Sequence, residues 1–252
     1  STRPVSSAAS DVYKRQPLGH ATPRFALVFG AFIAVAGSSL FLLLSVKAAF
    51  WSAFSVLFYV LVYTVWLKRR TPQNIVIGGA AGATPPLIGW AAAAGDSIAN
   101  ANMFDLGSPV PWMLFFLIFL WTPPHFWALA LYRSGEYGKV NIPMLNEVKG
   151  ADHTLLQSKV YCVLLLMLGS VPCFWPESGV PLLWAFVSGG LTLWYALSVW
   201  AIDPREPLDE NGRMPKAAKS FYRSLYYLGW MFLSFVAIAF IPAHRLGFFG
   251  PL

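Results

Sequence analysis

The residues best equipped for chemistry are gathered at a few points of an otherwise apolar chain. Lys68, Arg69 and Arg70 stand side by side, just after Tyr63 and Thr64 and just before Thr71 and Asn74. Three adjacent cations can grip a phosphate-bearing group, arginine through its planar fork and lysine as a point charge. The same cluster also serves as an ordinary topogenic signal at a helix end, so alone it decides little. A second point is Trp121-Thr122-Pro123-Pro124-His125-Phe126-Trp127, a histidine among aromatics inside an apolar run. Such a residue can ligate iron, move a proton, or simply bond a neighbouring carbonyl. Trp121, Phe126 and Trp127 offer π-faces to a cation or a flat ligand, or merely pack. The third point is the stretch from Tyr132 to Leu145, where Arg133, Glu136, Tyr137 and Lys139 set one acid among cations. A carboxylate beside cations suits a magnesium–diphosphate site, although a lone glutamate in a loop is commonly just solvated.

The elements that must position these residues are membrane helices. Of the 252 residues, 57% are hydrophobic and only 12% charged, about half the charged fraction of ordinary soluble domains. Apolar spans fall at roughly 25–46, 49–67, 75–94, 110–132, 155–174, 180–201 and 222–241. They are hydrophobic on all sides and close to the ~20 residues needed to cross the hydrocarbon. Backbone satisfaction in lipid leaves helices or closed barrels, and the period-two alternation of a barrel is absent. An all-α membrane protein of seven helices follows. With alternating helices, 16 of the 18 Lys and Arg fall on one face, and only Lys47 and Arg245 lie opposite. That basic face is expected to be cytoplasmic. The net charge of +7 therefore reports orientation, and no nucleic-acid partner is expected.

Two spans carry breaks. In NIVIGGAAGATPPLIGW, Gly78, Gly79 and Gly82 permit close helix approach, and Pro85-Pro86 removes two backbone donors in mid-membrane. Irregular backbone at that depth must be buried in protein or line a cavity, and Pro123-Pro124 repeats the feature in the next span. Lys47 is read as a break between the first two spans. Cys162 and Cys173 lie in one apolar run without metal-ligand spacing and are read as packing residues. Residues 1–16 are polar, share no pattern with the rest and resemble translated adapter sequence. They are set apart as a foreign, disordered segment, with a single domain over 17–252.

Taken together, YTVWLKRRTPQNIVIGGAAGATPPLIGW, WTPPHFWALALYRSGEY and NIPML resemble the protohaem IX farnesyltransferase (haem O synthase) family of UbiA-type intramembrane prenyltransferases. The resemblance covers essentially 17–241. It implies a nine-helix bundle of which this chain holds helices three to nine. The family's main acidic magnesium motif lies between helices two and three, upstream of PLGHATP (17–23), so the 252-residue chain alone is expected to be inactive. The implied reaction joins a farnesyl group from farnesyl diphosphate to a vinyl carbon of haem b, with Mg²⁺ as cofactor and haem b as substrate. The resemblance assigns Lys68, Arg69, Arg70 and Arg133 to the leaving diphosphate. Tyr63, Thr71, Asn74, Trp121, His125, Tyr137 and Lys139 would bind substrate. Glu136 would contact the metal, although Gly135-Glu136 stands where the family pattern has an acidic pair or Asp-Tyr. A bacterial inner membrane, with the site on the cytoplasmic side, is the expected location, and a haem A synthase or terminal oxidase an expected neighbour. Two alternatives stand beside this: a prenyltransferase acting on a quinone or chlorophyll precursor, and a non-catalytic transporter or haem-handling protein, for which the paired breaks have precedent.

Overall fold

Capping and proline placement fix where several helices begin. Thr22 accepts the Phe25 N–H at 3.1 Å through Oγ1, and Pro23 follows it at the first helical position, where its missing N–H costs nothing. Pro85 and Pro215 open two later helices in the same way. The computed structural model describes residues 22–95, 101–133, 143–175, 180–210 and 212–241. Among them the elements are α1 (Pro23–Leu40, with a tight last turn to Leu43), α2 (Val46–Leu57, continued by wider turns over Phe58–Leu67), α3 (Asn74–Gly82), α4 (Pro85–Ala94), α5 (Val110–Tyr132), α6 (Leu145–Lys149), α7 (Ala151–Phe174), α8 (Leu182–Trp200) and α9 (Pro215–Ala239). No strand occurs among the described residues.

Six segments are long and apolar enough to cross a membrane: Pro23–Leu43, Val46–Leu67, Asn74–Ala94, Val110–Tyr132, Ala151–Phe174 and Leu182–Trp200. The protein is an all-α integral membrane protein. The expected seventh span differs from the other six. Helix α9 runs 25 residues and packs on α5 and α8, but it starts earlier than expected, at Pro215. Its first turns carry Lys216, Lys219 and Arg223, which hold it below the hydropathy of the others.

Helix α5 is the central post. It packs against α3 and α4 on one side and α7 and α9 on the other, while α8 closes the α7–α9 side and α1 touches only the α2 side. The main core joins Leu117 and Trp121 of α5 to Cys162, Trp184, Tyr195 and Tyr227, and a smaller one surrounds Leu87 and Ala91. Cys162 is buried in this core and Cys173 is exposed. Helix α1 buries no residue at all.

The two proline pairs behave differently. After Gly82 the chain turns through Ala83 and Thr84, whose Oγ1 donates to the Ala81 carbonyl at 2.8 Å, and Pro85-Pro86 start α4 as a new helix. The expected interruption at Pro123-Pro124 does not occur: α5 continues through both prolines. No glycine precedes this pair, which lies in mid-helix and is buried against neighbouring helices, and Thr122 donates its hydroxyl back to the Ile118 carbonyl at 2.7 Å. Lys47 is also not a loop charge. It lies in the first turn of α2, 4% exposed, and donates Nζ to the Asp105 carbonyl at 2.5 Å. Trp51, Trp112 and Trp90 donate their indole N–H to the carbonyls of Met103, Phe104 and Leu106 at 3.0, 3.2 and 3.1 Å. Four consecutive carbonyls of this loop are thus held from four places in the sequence, which satisfies buried backbone at that end of the bundle.

Candidate functional site

At the opposite, basic end, Lys68, Arg69 and Arg70 form the turn between α2 and α3. Arg70 and Thr71 both donate backbone N–H to the Leu67 carbonyl, at 2.9 and 3.3 Å. Arg69 and Arg70 are exposed and Lys68 is partly buried. The turn is stapled by Asn74, which is 1% exposed. Its Nδ2 donates to the carbonyls of Thr71 (2.7 Å), Pro143 (3.3 Å) and Lys68 (3.4 Å). Asn74 therefore holds the shape of the cationic turn with its amide nitrogen. Thr71 shares the task, since its Oγ1 accepts the Gln73 N–H at 3.2 Å. Helix α3 begins at Asn74, so its positive N-terminal dipole adds to the three cations at this corner.

The same contacts join the two segments that must share a side of the membrane. Asn74 reaches Pro143, Gln73 Nε2 donates to Gln157 Oε1 at 3.3 Å, and Ile75 packs on Ala130 and Met144. Arg133 ends α5 at this end. Its neighbour Tyr132 accepts a hydrogen bond from Arg213 Nη1 at 3.1 Å, with the guanidinium 5.3 Å above the ring. Glu136, Tyr137 and Lys139 lie outside the described residues.

Inboard of the cationic turn is a cavity of about 660 Å³ between the second half of α2, α3 and α5, a size common for ligand pockets. Ile75, next to Asn74, lies at its wall, as does Tyr63, whose carbonyl accepts the Lys68 N–H at 2.8 Å. Aromatic rings of Tyr59, Tyr63, Trp121 and Phe126 face it. Gly78, Gly79 and Gly82 of α3 line it as well. Two of these glycines are packing sites, as expected. A Cβ on Gly78 would lie 2.2 Å from the Tyr63 ring, and one on Gly79 would meet the Thr122 methyl at 3.0 Å. A Cβ on Gly82 would meet nothing within 4 Å, so the missing side chain there leaves cavity space.

The wide turns of Phe58–Leu67 matter to this wall. Four residues of an α-helix overshoot one turn by about 40°, so a four-spaced row drifts round the helix. Trp51, Ser55, Tyr59, Tyr63 and Leu67 form such a row and would span about 160° in a uniform α-helix. Yet Trp51 and Leu67 are both buried, and the three between them all line the cavity. The five-residue step from Lys68 N–H to the Tyr63 carbonyl widens the helix and keeps the row on one side.

His125 is not in the cavity wall. It sits one turn from Trp121 in the α5–α9 interface, stacked between the rings of Trp121 (4.2 Å) and Phe221 (4.8 Å). Its Nδ1 is 2.5 Å from Ser224 Oγ. Ser224 donates its own hydroxyl proton to the Phe221 carbonyl, so His125 is the donor in this pair. Trp121 Nε1 donates to the Ser224 carbonyl at 2.9 Å. Both α5 residues are thus clipped to one serine, and this fixes the Trp121 ring that faces the cavity. Sequence reading missed Ser224 and Phe221, which lie about 100 positions away without a motif. It also missed Tyr59, for which the four-residue spacing from Tyr63 was a usable signal.

A cationic turn beside an aromatic, mostly apolar cavity in a helical bundle suits a ligand with an anionic head and an apolar tail. The UbiA prenyltransferase family matches residues 14–225 of this sequence. The chain belongs to that family. Among curated proteins it is 44% identical over 221 residues to protoheme IX farnesyltransferase of Parvibaculum lavamentivorans, covering 87% of this chain and 64% of that protein. It is 38% identical over 218 residues to the protein of that name from Bartonella bacilliformis (86% and 65% covered), and 40% identical over 239 residues to that of Ruegeria pomeroyi (93% and 70%). The chain thus spans about two thirds of the length of these relatives. No solved structure matches it.

Proposed function

We propose that this protein transfers the farnesyl group of farnesyl diphosphate to a vinyl carbon of haem b, giving haem O, at the basic end of the bundle. The observation that carries the reading is the cavity wall itself: Tyr63 and Ile75 line the cavity and are joined directly to the Lys68–Asn74 turn. The diphosphate would rest on Lys68 and Arg69, with Arg70 and Arg133 behind them, while the isoprenoid tail runs inboard along the α3 wall. When the carbon–oxygen bond breaks, its electron pair goes to the diphosphate, and fixed cations stabilise the charge that builds there. The allylic cation lies among the faces of Tyr59, Tyr63 and Trp121, which favour a cation and keep bulk water out. The vinyl π-pair then forms the new carbon–carbon bond, and the resulting cation takes up water and loses a proton.

Mg²⁺ is the usual companion of the diphosphate in this family. No group of three His, Cys, Asp or Glu comes together among the described residues. Glu136, the carboxylate that the sequence offers at this end, lies outside them. By the charge distribution, the basic end faces the cytoplasm of a bacterial inner membrane. A haem A synthase or an oxidase assembly would then be a reasonable recipient of the product.

The test is turnover by the full-length gene product in lipid vesicles with haem b, farnesyl diphosphate and Mg²⁺, read by mass spectrometry. A product heavier than haem b by a farnesyl group and a hydroxyl bears the proposal out. Transfer to a quinone precursor but not to haem b would replace it with the other prenyltransferase reading, and no transfer to any acceptor would favour the non-catalytic one.

A further inference from the structure

Away from the cavity, the outer side of the α8–α9 pair holds a cation that no carboxylate among the described residues neutralises. Arg223 lies eight residues into α9, about 12 Å along its axis. Its guanidinium stands 5.2 Å over the ring of Trp194, six residues (about 9 Å) short of the end of α8. That ring is Arg223's sole side-chain partner among the described residues, and neither α8 nor α9 contains an Asp or Glu. The nearest cation toward the basic end that has a carboxylate is Lys216, with Glu206 at 3.8 Å. Lys219, one turn before Arg223 on the same face of α9, is exposed, and so are Tyr222 and Tyr226.

A guanidinium held below the end of a membrane span is costly unless an anion meets it. Cations in grooves between membrane helices meet that need with lipid headgroups. We propose that this groove binds the headgroup phosphate of an anionic phospholipid, gripped by Arg223 and Lys219. Trp194 orients the guanidinium, and the acyl chains lie along Tyr226 and the apolar face of α8. The inner face of α9 is occupied by Ser224 and its contacts with α5, so this groove is separate from the cavity, and the inference does not depend on the proposed reaction.

The experiment is native mass spectrometry of the full-length gene product released from nanodiscs containing equal phosphatidylglycerol and phosphatidylcholine. The wild type is expected to retain phosphatidylglycerol at least tenfold over phosphatidylcholine. The Lys219→Gln/Arg223→Gln variant should lose that preference, whereas Arg223→Lys, which keeps the charge, should retain most of it. Millimolar inorganic phosphate should not compete, because the site is built for a lipid. Equal retention of the two lipids by the wild type, or an unchanged preference in the double variant, overturns the proposal. Should the double variant not fold, Lys219→Gln alone is expected to lose part of the preference, and an unchanged preference in it overturns the proposal.

Discussion

Gly78 and Gly82 lie one helical turn apart on α3, and the structure gives their alanine variants opposite signs. At Gly78 the added methyl would stand 2.2, 2.7 and 2.8 Å from three carbons of the Tyr63 ring. The ring is rigid and already held against Tyr59 at 5.3 Å, so either it swings into the cavity or α3 moves away from α2. Overpacking of this kind costs about 1–3 kcal/mol. At Gly82, the last residue of α3, the methyl meets nothing within 4 Å, and replacing a helical glycine by alanine gains at most about 0.5–1 kcal/mol. The two variants should therefore differ by about 1–4 kcal/mol, with wild type between them. Thermal unfolding of the detergent-purified 252-residue chain, followed by helix content, reads this difference. Equal stability of the two variants, or Gly82→Ala as the weaker, would refute the packing described for this wall.

Further outcomes follow from the same geometry. Gly82→Leu should keep the fold but fill the cavity, so farnesyl diphosphate should bind the full-length gene product more weakly than geranyl diphosphate; an unchanged order of affinity would place the tail elsewhere. In a thiol-labelling scan, Tyr63→Cys should be protected by bound farnesyl diphosphate, whereas Trp66→Cys should not, because Trp66 is 56% exposed on the outer side. Protection at 66 and not at 63 would mean an ordinary α-helical register. Ser224→Ala removes the partner of the buried His125 and should cost about 1–3 kcal/mol. It should also lower kcat through Trp121 while leaving the affinity for farnesyl diphosphate largely intact; an unchanged kcat would leave Ser224 as packing alone.

What was legible in the sequence was what composition and charge determine. The apolar runs located the spans within a few residues, and the basic loops led to one end of the bundle, where Asn74 meets Pro143. The glycine-rich stripe announced a close approach at Gly78 and Gly79, but not that Gly82 leaves space. Identical proline pairs gave opposite results because the outcome rests on tertiary surroundings: Thr84 caps the Ala81 carbonyl in a turn before the first, while the second lies in the middle of α5, packed by helices on both sides. Lys47 read as a boundary because its acceptor, the Asp105 carbonyl, lies 58 positions away. The wide turns of α2 and the Ser224 clip are tertiary products. Each depends on a pairing between helices that no local pattern records, which is why His125, conspicuous among aromatics, turned out to face α9 and not the cavity.

The central claim is that the diphosphate rests on the cationic turn while its tail occupies the cavity. Photo-crosslinking of the full-length gene product with a diazirine-bearing farnesyl diphosphate, mapped by peptide mass spectrometry, tests it most directly. The label should fall on residues 59–63, 75–82 and 118–126, and should be lost in the Lys68→Gln/Arg69→Gln variant. Labelling confined to the outer faces of α7 and α8, and unaffected by that double substitution, would contradict the account.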